Sequence, residues 1–251
     1  PPVWTGYRPL RVAAIQQECV DVRSFVLESE DRSPLPSPLP GQFLAFRIGV
    51  RDGSMPLLRS YSLSGPQSTG TYRISVKRAS GAGSHYFHDH IQAGELLKVS
   101  TPRGSFTLAP AGNPVVLLSA GIGATPVLSM LHSFVTGDAK STREVWWCYG
   151  ARNGREHPFE AEVRDLLKGL PHSHSFIAYS KPEEEDRSGI DYDARGHLNL
   201  STLQQLQVPL TADFYVCGPP PFLAELTAAL KALCVADSSI HFETFGAESS
   251  I

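Results

Sequence analysis

The chain has 251 residues, a length that suits one large domain or two of medium size. Its 22 basic and 25 acidic residues give a net charge of −3, which argues against the broadly basic surface of a general nucleic-acid-binding or polybasic membrane-binding protein. With 41% hydrophobic and 19% charged residues the chain can bury a full core, and it has no apolar run long enough to span a bilayer.

The four cysteines are too widely spaced to suggest a metal cluster. They are Cys19, Cys148, Cys217 and Cys234. The chain has no C-x-x-C motif and no cysteines paired with histidines at zinc-finger spacing. We interpret these residues as mostly reduced core cysteines and predict a cytoplasmic location. Since the chain begins with Pro1 and not with methionine, we expect it to be processed, trimmed or excised from something longer.

Between residues 11 and 108, apolar and polar side chains alternate in short runs separated by turn residues. This period-two pattern predicts strands over residues 22–28, 42–48 and 71–77. Prolines at every second position from 34 to 40 argue against both a helix and a central strand in that segment. Several strands at this spacing predict a small antiparallel β-barrel.

One short helix is predicted within the barrel region, over residues 84–91. Ser84 is a residue type that caps helix N-termini, so we expect it to cap this helix. Tyr86, Phe87 and Ile91 would face inward.

After the loop at residues 110–114 the pattern changes to continuous apolar runs, which are typical of parallel strands buried on both faces. These runs predict strands over residues 115–118, 145–149, 176–179, 213–217 and 240–245, alternating with helices over 125–134, 158–168 and 222–233. Such alternation predicts an α/β doubly wound parallel sheet. The chain therefore divides into two predicted domains, a β-barrel over residues 1–111 and an α/β domain over 112–251.

A glycine-rich turn follows the first buried strand of the second domain. Gly121 and Gly123 permit close approach of the main chain, and Thr125 and Pro126 open the next helix. The free N–H groups at such a helix start favour a phosphate, although a plain tight turn is the alternative. Pro126 stands where the G-x-G-x-x-G fingerprint would place its third glycine, so the usual fingerprint is absent.

A second glycine turn follows a later buried strand and contains Cys217, Gly218 and Pro219. Ligands of doubly wound sheets bind at the carboxyl ends of the strands. We expect this turn to lie on the same sheet edge as residues 121–126. Alone it would be a simple helix entry, but the pair of turns favours a ligand site.

Several motifs occur in the order found in one superfamily. Arg59-Ser60-Tyr61-Ser62 resembles the R-x-Y-S/T flavin motif of ferredoxin–NADP reductase-like proteins. Further segments follow in the matching order, at residues 81–84, 121–126, 217–219 and 243–245. Other segments resemble the FAD/NAD(P) reductase part of flavohaemoglobins and related fusion oxidoreductases, at residues 4–8, 73–78, 88–89 and 102–106. The resemblance covers essentially the whole chain.

The resemblance implies roles for the flavin motif. Arg59 would meet a flavin phosphate, which suits a planar guanidinium. Tyr61 would lie against the isoalloxazine ring, and Ser62 would place its hydroxyl near flavin N5. In isolation, Tyr61 and Ser62 would be interpreted as an ordinary pair of strand residues.

The resemblance also implies further flavin contacts. Gly81 and Ser84 would approach the pyrophosphate at the start of the short helix. Phe245 would cover the other face of the flavin, with plain core packing as the alternative. Val76, which lies in the strand motif at residues 73–78, is included among the cofactor-binding residues.

The resemblance places the nicotinamide nucleotide on the second domain. Two sets of residues would contact it: Gly121, Gly123 and Thr125 beneath it, and Cys217, Gly218 and Pro219 beside its reactive ring. Glu243 would lie near the nicotinamide pocket, although a surface carboxylate is the alternative. Ser62, Cys217 and Glu243 are therefore the predicted catalytic residues.

The sequence around Lys181 bears on the choice of nucleotide. Related proteins that use NADPH often have a basic residue here for the 2′-phosphate, and Lys181 could serve. The acidic run at residues 183–186 follows at once and would repel a phosphate, although a solvated loop is the alternative. We predict NADH over NADPH.

Other chemistries find less support in the sequence. Histidines occur in two groups, at positions 85, 88 and 90 and at positions 172 and 174. Asp89 is the only candidate that could complete either set, so we predict no metal site. The G-x-S-x-G turn of α/β-hydrolases is absent.

We therefore predict a flavin-dependent oxidoreductase that accepts hydride from NAD(P)H on FAD and passes electrons on singly. FAD is preferred to FMN because the resemblance is closer to flavohaemoglobin-type reductases. The acceptor is expected to be a haem or [2Fe–2S] group, in a fused domain or a separate protein, since the chain has no globin-sized segment and no cysteine set for a cluster. The alternative is a redox-silent nucleotide-binding regulatory module with the same fold.

Overall fold

The computed structural model describes residues 4–31, 33–49, 56–68, 70–110, 112–136 and 142–245. Among these described residues, the first part of the chain forms six strands and one helix. They are β1 (Tyr7–Cys19), β2 (Val22–Ser29), β3 (Phe43–Ile48), β4 (Leu57–Ser62), β5 (Thr71–Lys77), α1 (Ala82–Asp89) and β6 (Leu96–Ser100).

The six strands form an antiparallel sheet in the order β4-β3-β6-β1-β2-β5. A bridge between Leu63 and Ile74 joins the two edges of the sheet, and the amide of Ser64 donates to the carbonyl of Arg73 at 2.9 Å. These links close the sheet into the predicted barrel. The three predicted strands are confirmed to within one residue at each end.

Helix α1 lies against the barrel, but its predicted cap is wrong. The helix begins at Ala82, so Gly81 is the N-cap and Ser84 is already in the third helical position. The Ser84 hydroxyl instead donates to the carbonyl oxygens of Ala79 and Gly81, at 2.7 and 2.8 Å. Phe87 faces inward as predicted and packs in the barrel core.

The described residues of the second part of the chain form a six-stranded parallel sheet with four α-helices. Its elements are β7 (Val115–Ala120), α2 (Ala124–Thr136), β8 (Val145–Ala151), α3 (Glu160–Lys168), β9 (Ser173–Tyr179), β10 (Ala194–Arg195), α4 (Leu200–Leu206), β11 (Asp213–Gly218), α5 (Pro220–Ala232) and β12 (Ile240–Thr244). The strand order is β10-β9-β8-β7-β11-β12. Chain order therefore reverses between β7 and β11, the position where doubly wound sheets bind ligands.

Both faces of this sheet are covered by helices. Val115 and Leu117 pack with α2 and α3 on one face, whereas Val116 and Leu118 pack with α4 and α5 on the other. This alternation confirms the doubly wound fold and explains the continuous apolar run in β7.

Some element boundaries differ from the prediction for local reasons. Helix α3 begins at Glu160 and not at 158, because Phe159 adopts a left-handed conformation with φ of 63°. Helix α5 begins at Pro220, since proline is tolerated in a first turn. Short α4, absent from the prediction, is held by a capping box between Asn199 and Thr202.

The connection between the two sheets runs from Ser100 to Val115. The predicted domain boundary at residue 112 falls in it and stays a prediction. All four cysteines are free, and the core interpretation holds for Cys148 and Cys217, whereas Cys234 is exposed. Among the described helices, none combines the length and apolar character that crossing a lipid bilayer requires.

Candidate active site

A cavity of about 320 Å³ lies between the barrel and the parallel sheet. Two groups of residues line it. The barrel provides Phe43, Ala45, Leu58, Arg59, Ser60, Tyr61, Ser62, Ser75, Lys77 and Ala79, and the sheet domain provides Ile122, Thr125, Glu243, Thr244 and Phe245. The cavity therefore brings the predicted flavin motif on β4 next to the end of β12.

Tyr61 forms a wall of the cavity with its ring held by other aromatic side chains. Its ring meets Phe87 and Phe46 edge to face, with centroids 5.0 and 5.7 Å apart. Burial raises the pKa of Tyr61 to about 12, so its phenol stays neutral. A rigid, neutral aromatic ring of this kind is suited to stacking against a planar ligand.

Arg59 lies beside Tyr61 and has no carboxylate partner among the described residues. Its Nη1 donates to the carbonyl of Leu58 at 2.7 Å. Helix α1 packs closely on both side chains: a Cβ at Gly83 would come within 2.9 Å of Arg59 Cγ and of the Tyr61 hydroxyl. Space around Gly81, at the start of α1, is open. A guanidinium that has no carboxylate partner among the described residues and lies next to a helix start is a fitting partner for a phosphate.

Ser62 and Glu243 meet across the cavity, one from each domain. The Ser62 hydroxyl donates to Glu243 Oε2 at 3.5 Å, a long hydrogen bond. Burial raises the pKa of Glu243 to about 7, and the hydrogen bond from Ser62 only partly opposes that effect. Glu243 can therefore exchange a proton near neutral pH, as a general acid or base must.

Cys217 is not brought into the cavity. It pairs with Glu243 in the β11–β12 register, but its side chain is fully buried in the core of the sheet domain. Burial raises the pKa of the Cys217 thiol well above its usual value, and the charge of Glu243 adds to the effect. The thiol is therefore protonated, as in structural buried cysteines.

The first glycine turn connects β7 to α2 at the carboxyl edge of the sheet. Gly121 has φ of +54°, a conformation that favours glycine, and its carbonyl accepts a hydrogen bond from the Tyr149 hydroxyl at 3.1 Å. A Cβ at Gly123 would collide with the main chain at Cys217. Thr125 lines the cavity, and its hydroxyl donates to the Ile122 carbonyl at 3.0 Å.

The two glycine turns lie on neighbouring strands, as predicted. Ser119 of β7 pairs with Cys217 of β11, so both turns lie at one sheet edge. Gly218 and Pro219 lie at this edge outside the cavity lining, and Phe222 would contact any side chain placed at Gly218.

Three predicted cofactor-binding residues of the barrel do not line the cavity. The Val76 side chain is 1% exposed and belongs to the barrel core, so any ligand contact would have to use its main chain. The Ser84 hydroxyl is occupied by local carbonyl groups, as described above. Gly81 is exposed and has open space before it.

Sequence reasoning missed several lining residues, among them Ser75 and Lys77. The sequence did contain a signal for them, because successive side chains of a strand point to opposite faces of the sheet. Ile74 and Val76 fill the barrel core, so their neighbours Ser75 and Lys77 must face the other side. Lys77 forms ion pairs with Asp21 at 3.0 Å and with Glu156 at 3.6 Å, the second of which crosses between domains.

Several of the histidines and acidic residues noted in the sequence contact other groups of the protein. The Nε2 atom of His88 lies 2.8 Å from the Val76 carbonyl oxygen, and His85 pairs with Asp89. Within the described ranges, no group of three or more His, Cys, Asp or Glu side chains is arranged to hold a metal ion. The acidic run lies in a loop with Glu183, Glu184 and Glu185 exposed, and Glu183 accepts a hydrogen bond from Asn153.

Comparisons with known proteins agree with this geometry. Residues 9–108 match the family described as oxidoreductase FAD-binding domain, and residues 117–227 match oxidoreductase NAD-binding domain. A flavohemoprotein of Chromobacterium violaceum is 36% identical over 251 residues, a match that covers 97% of this chain and 61% of the relative. The chain thus spans about three fifths of the length of the curated relatives that it matches.

Two solved structures are similar over nearly the whole chain. The flavohem-like FAD/NAD-binding domain of nitric oxide dioxygenase from Vibrio cholerae O1 biovar El Tor has 32% identity and a TM-score of 0.85, covering 96% of this chain and 99% of that one. Flavohemoglobin from Malassezia yamatoensis, with bound FAD and heme, has 26% identity and a TM-score of 0.83, covering 96% of this chain and 60% of that one.

The fold and the cavity define a two-domain flavin- and nucleotide-binding oxidoreductase. The chain belongs to the ferredoxin–NADP reductase-like family, in the group that contains the FAD- and NAD-binding part of flavohaemoproteins. The predicted family, fold and class of NAD(P)H-dependent flavin reductase are confirmed, and no finding supports the redox-silent alternative.

Proposed function

We propose that this chain transfers hydride from NADH to FAD in the cavity between its domains and delivers electrons singly to a haem acceptor. One observation carries the proposal: Tyr61 and Ser62 of the barrel face Glu243 and Phe245 of the sheet domain across one cavity. Bound FAD would supply the redox chemistry, accepting hydride and releasing single electrons, while the protein orients the reactants.

The barrel residues would bind and orient the flavin. Arg59 would donate two hydrogen bonds to a phosphate. It is available for this role because it has no carboxylate partner among the described residues. Tyr61 would support one face of the ring system and Phe245 the other. Gly81, with Ser84 and the main chain at Val76, would border the pyrophosphate near the start of α1.

The turns at the carboxyl edge of the sheet would bind the nicotinamide nucleotide. Gly121, Gly123 and Thr125 would present the first turn of α2 to its phosphates. A second set would border the nicotinamide ring, namely Cys217, Gly218 and Pro219. Because the Cys217 side chain is buried, it would act by shaping the floor of the site, with its thiol protonated.

Ser62 would provide a hydrogen bond and Glu243 a proton-exchanging carboxyl group next to the reacting atoms. The Ser62 hydroxyl can donate to a flavin ring nitrogen or to Glu243, and Glu243 exchanges a proton near pH 7. Phe245, which lines the cavity and is partly exposed, would exclude water until the nucleotide ring takes its place.

The charges near Lys181 support NADH as the preferred nucleotide. Glu183 and Asp186 fold back onto the loop after β8, where they accept hydrogen bonds from Asn153 and Gly154 at 3.1 Å. These carboxylates lie near the carboxyl ends of β8 and β9 and would repel a 2′-phosphate there. Lys181 is exposed and would have to compete with them.

The acceptor is proposed to be haem because the matched relatives are flavohaemoproteins, one of which has been solved with both FAD and heme. A [2Fe–2S] protein is the second candidate. Since the chain spans only part of those relatives, the haem could belong to a fused domain or to a separate protein. A cytoplasmic location, the setting predicted from the free thiols, would suit such a system.

Reconstitution tests the proposal. The purified chain is incubated with FAD or FMN, and the flavin that remains bound is released and identified by mass. The loaded chain is then mixed with NADH or NADPH and with an oxidised haem protein or an oxidised [2Fe–2S] protein. We expect FAD to be retained and the haem to be reduced faster with NADH. A chain that retains neither flavin would contradict the proposal.

A further inference from the structure

A charged network joins the two domains away from the reacting groups. Arg73 of β5 donates to both carboxylate oxygens of Glu162 in α3, at 3.0 and 2.8 Å, across the interface between the domains. Both side chains are mostly buried, at 17% and 25% exposure. His132 of α2 lies 2.6 Å from the same carboxylate through Nε2. Glu162 therefore connects three elements, one in the barrel and two in the sheet domain.

The charge state of this network favours a strong pairing. Burial alone would raise the pKa of Glu162, but hydrogen bonds from His132 and Arg73 hold it below its ordinary value. Glu18, another carboxyl group near Arg73, has its pKa raised by burial. Glu162 is thus the carboxylate that neutralises Arg73. The pair is bidentate, so it fixes both the relative orientation and the separation of the two side chains.

On the barrel side, the network reaches the wall of the cavity. Arg73 also donates to Ser64, through Nε to the hydroxyl at 3.3 Å and through Nη2 to the carbonyl. The Ser64 hydroxyl lies 2.7 Å from that of Ser75, which lines the cavity. Ser64 follows Ser62 by two residues, so Arg73 supports the strand end that carries the Ser62 hydroxyl.

On the sheet side, the network reaches α2, the helix that follows the nucleotide turn. His132 lies on α2, the helix that begins directly after Gly123. The same helix is joined to the barrel by Gln67, whose Nε2 donates to the carbonyl and the hydroxyl of Ser129, both at 3.0 Å. Helix α2 is thus hydrogen-bonded to α3 through His132 and to the barrel through Ser129.

We propose that Glu162 is a positioning residue that sets the distance between the flavin-binding wall and the nucleotide-binding turn. The inference rests on the proposed function, because both ligands are needed for the distance to matter. Hydride transfer requires reacting atoms about 3–3.5 Å apart, and a displacement of about 1 Å can slow a reaction by about a hundredfold. A rigid cross-domain pair between Arg73 and Glu162 is suited to keeping that separation.

The test compares Glu162→Gln with Glu160→Gln on the same helix. Glu160 pairs with Arg164 at the exposed surface, away from the cross-domain network, so it is the matched control. In Glu162→Gln, the new amide nitrogen would meet a donor from Arg73 or His132, so that at least one hydrogen bond is lost. Arg73→Gln is a second variant, which breaks the pair from the barrel side.

The whole chain is studied with and without FAD. Without FAD, hydrogen exchange of amides in α2 and in residues 64–68 should be faster in Glu162→Gln and Arg73→Gln than in Glu160→Gln. With FAD, both variants should retain flavin and bind NADH within about twofold of the wild type. Their rate of flavin reduction at saturating NADH should fall at least fivefold, and the flavin–nicotinamide charge-transfer absorbance should weaken.

The outcomes separate this inference from the proposed function. If the wild type binds no FAD or is not reduced by NADH, the proposed function fails. If the wild type is reduced and Glu162→Gln matches Glu160→Gln in both hydrogen exchange and reduction rate, the positioning role is wrong. A loss confined to thermal stability, with an unchanged reduction rate, would also overturn it, because it would show a merely structural role.

Discussion

The two walls of the cavity differ in what they present to a ligand. The barrel wall presents side-chain chemistry: the guanidinium of Arg59, the ring of Tyr61 and the hydroxyl of Ser62. The nucleotide turn presents mainly backbone, in a conformation that depends on Gly121 and on the absence of a side chain at Gly123. The first wall depends on the identity of its side chains, whereas the second depends on how closely its main chain packs against β11.

This difference leads to different expectations for substitutions. A change of side chain on the barrel wall should weaken ligand binding while leaving the fold intact. A change of backbone shape at the nucleotide turn should affect fold and binding together, because the turn is part of the packing between β7, β11 and α2.

The largest effect is expected for Gly123→Ala. The new Cβ would collide with the main chain at Cys217, which cannot move as a flexible side chain could. We expect a loss of about 3 kcal/mol in the free energy of unfolding, at the upper end for overpacking, and at least a tenfold loss in NADH affinity. Chemical denaturation and nucleotide titration measure the two losses.

Gly112→Ala provides the control for that substitution, because space around Gly112 is open and its φ is not in the left-handed region. It should leave stability and NADH affinity nearly unchanged. If Gly123→Ala behaved like Gly112→Ala, the nucleotide turn would not depend on close backbone packing.

The barrel wall is tested by Arg59→Gln. Loss of a charge-assisted hydrogen bond to a phosphate costs about 1.5–3 kcal/mol, so the FAD dissociation constant should rise about tenfold to a hundredfold. Stability of the flavin-free chain should hardly change. Arg11→Gln, which removes a partly exposed barrel arginine paired with Glu30, is the control and should leave flavin affinity unchanged. Equal flavin affinity in both variants would exclude a phosphate role for Arg59.

The same contrast explains how much the sequence could predict. Period-two alternation and continuous apolar runs identified β2, β3 and β5 and the parallel sheet, because these patterns follow directly from burial. Strand β1 was not identified as a unit, since its exposed and buried residues alternate irregularly around bulges in its pairing with β2.

Within the site, the sequence could predict which side chains belong to it, but it could not predict the contacts between the two domains. Arg59, Tyr61 and Glu243 were identified by their resemblance to a family. The tight packing at Gly83 and the ion pair between Arg73 and Glu162 depend on residues distant in sequence, so no local pattern marks them. Cys217 was expected beside the reacting ring, but the strand pleat turns its side chain into the core.

An intermediate effect is expected from the pH dependence of stability in the flavin-free chain. Glu243 titrates near pH 7 in the native state and near its ordinary value when unfolded. Between those values the native state holds more protons than the unfolded state, so stability falls as pH rises from about 4.5 to 7. In Glu243→Gln that fall should be smaller, as thermal unfolding at a series of pH values would reveal. Parallel pH profiles for both proteins would show that Glu243 is not buried enough to perturb its pKa.

The smallest effect is expected for Tyr149→Phe. Tyr149 and Tyr215 are both fully buried, and each makes one hydrogen bond through its hydroxyl: Tyr149 to the Gly121 carbonyl and Tyr215 from the Ala109 amide. Each Tyr→Phe change should cost about 1 kcal/mol of stability. Only Tyr149→Phe should also weaken NADH binding, by a few-fold in a nucleotide titration, because only Gly121 belongs to the nucleotide turn. If Tyr215→Phe weakened NADH binding to the same extent, the effect of Tyr149→Phe could not be assigned to the nucleotide turn.

The most direct test of the central claim is an anaerobic titration of the FAD-loaded chain with NADH, followed by flavin absorbance. If the two walls hold flavin and nicotinamide in contact, each equivalent of NADH should bleach one equivalent of bound flavin. A chain that holds FAD but keeps its flavin absorbance unchanged with both NADH and NADPH would contradict the claim.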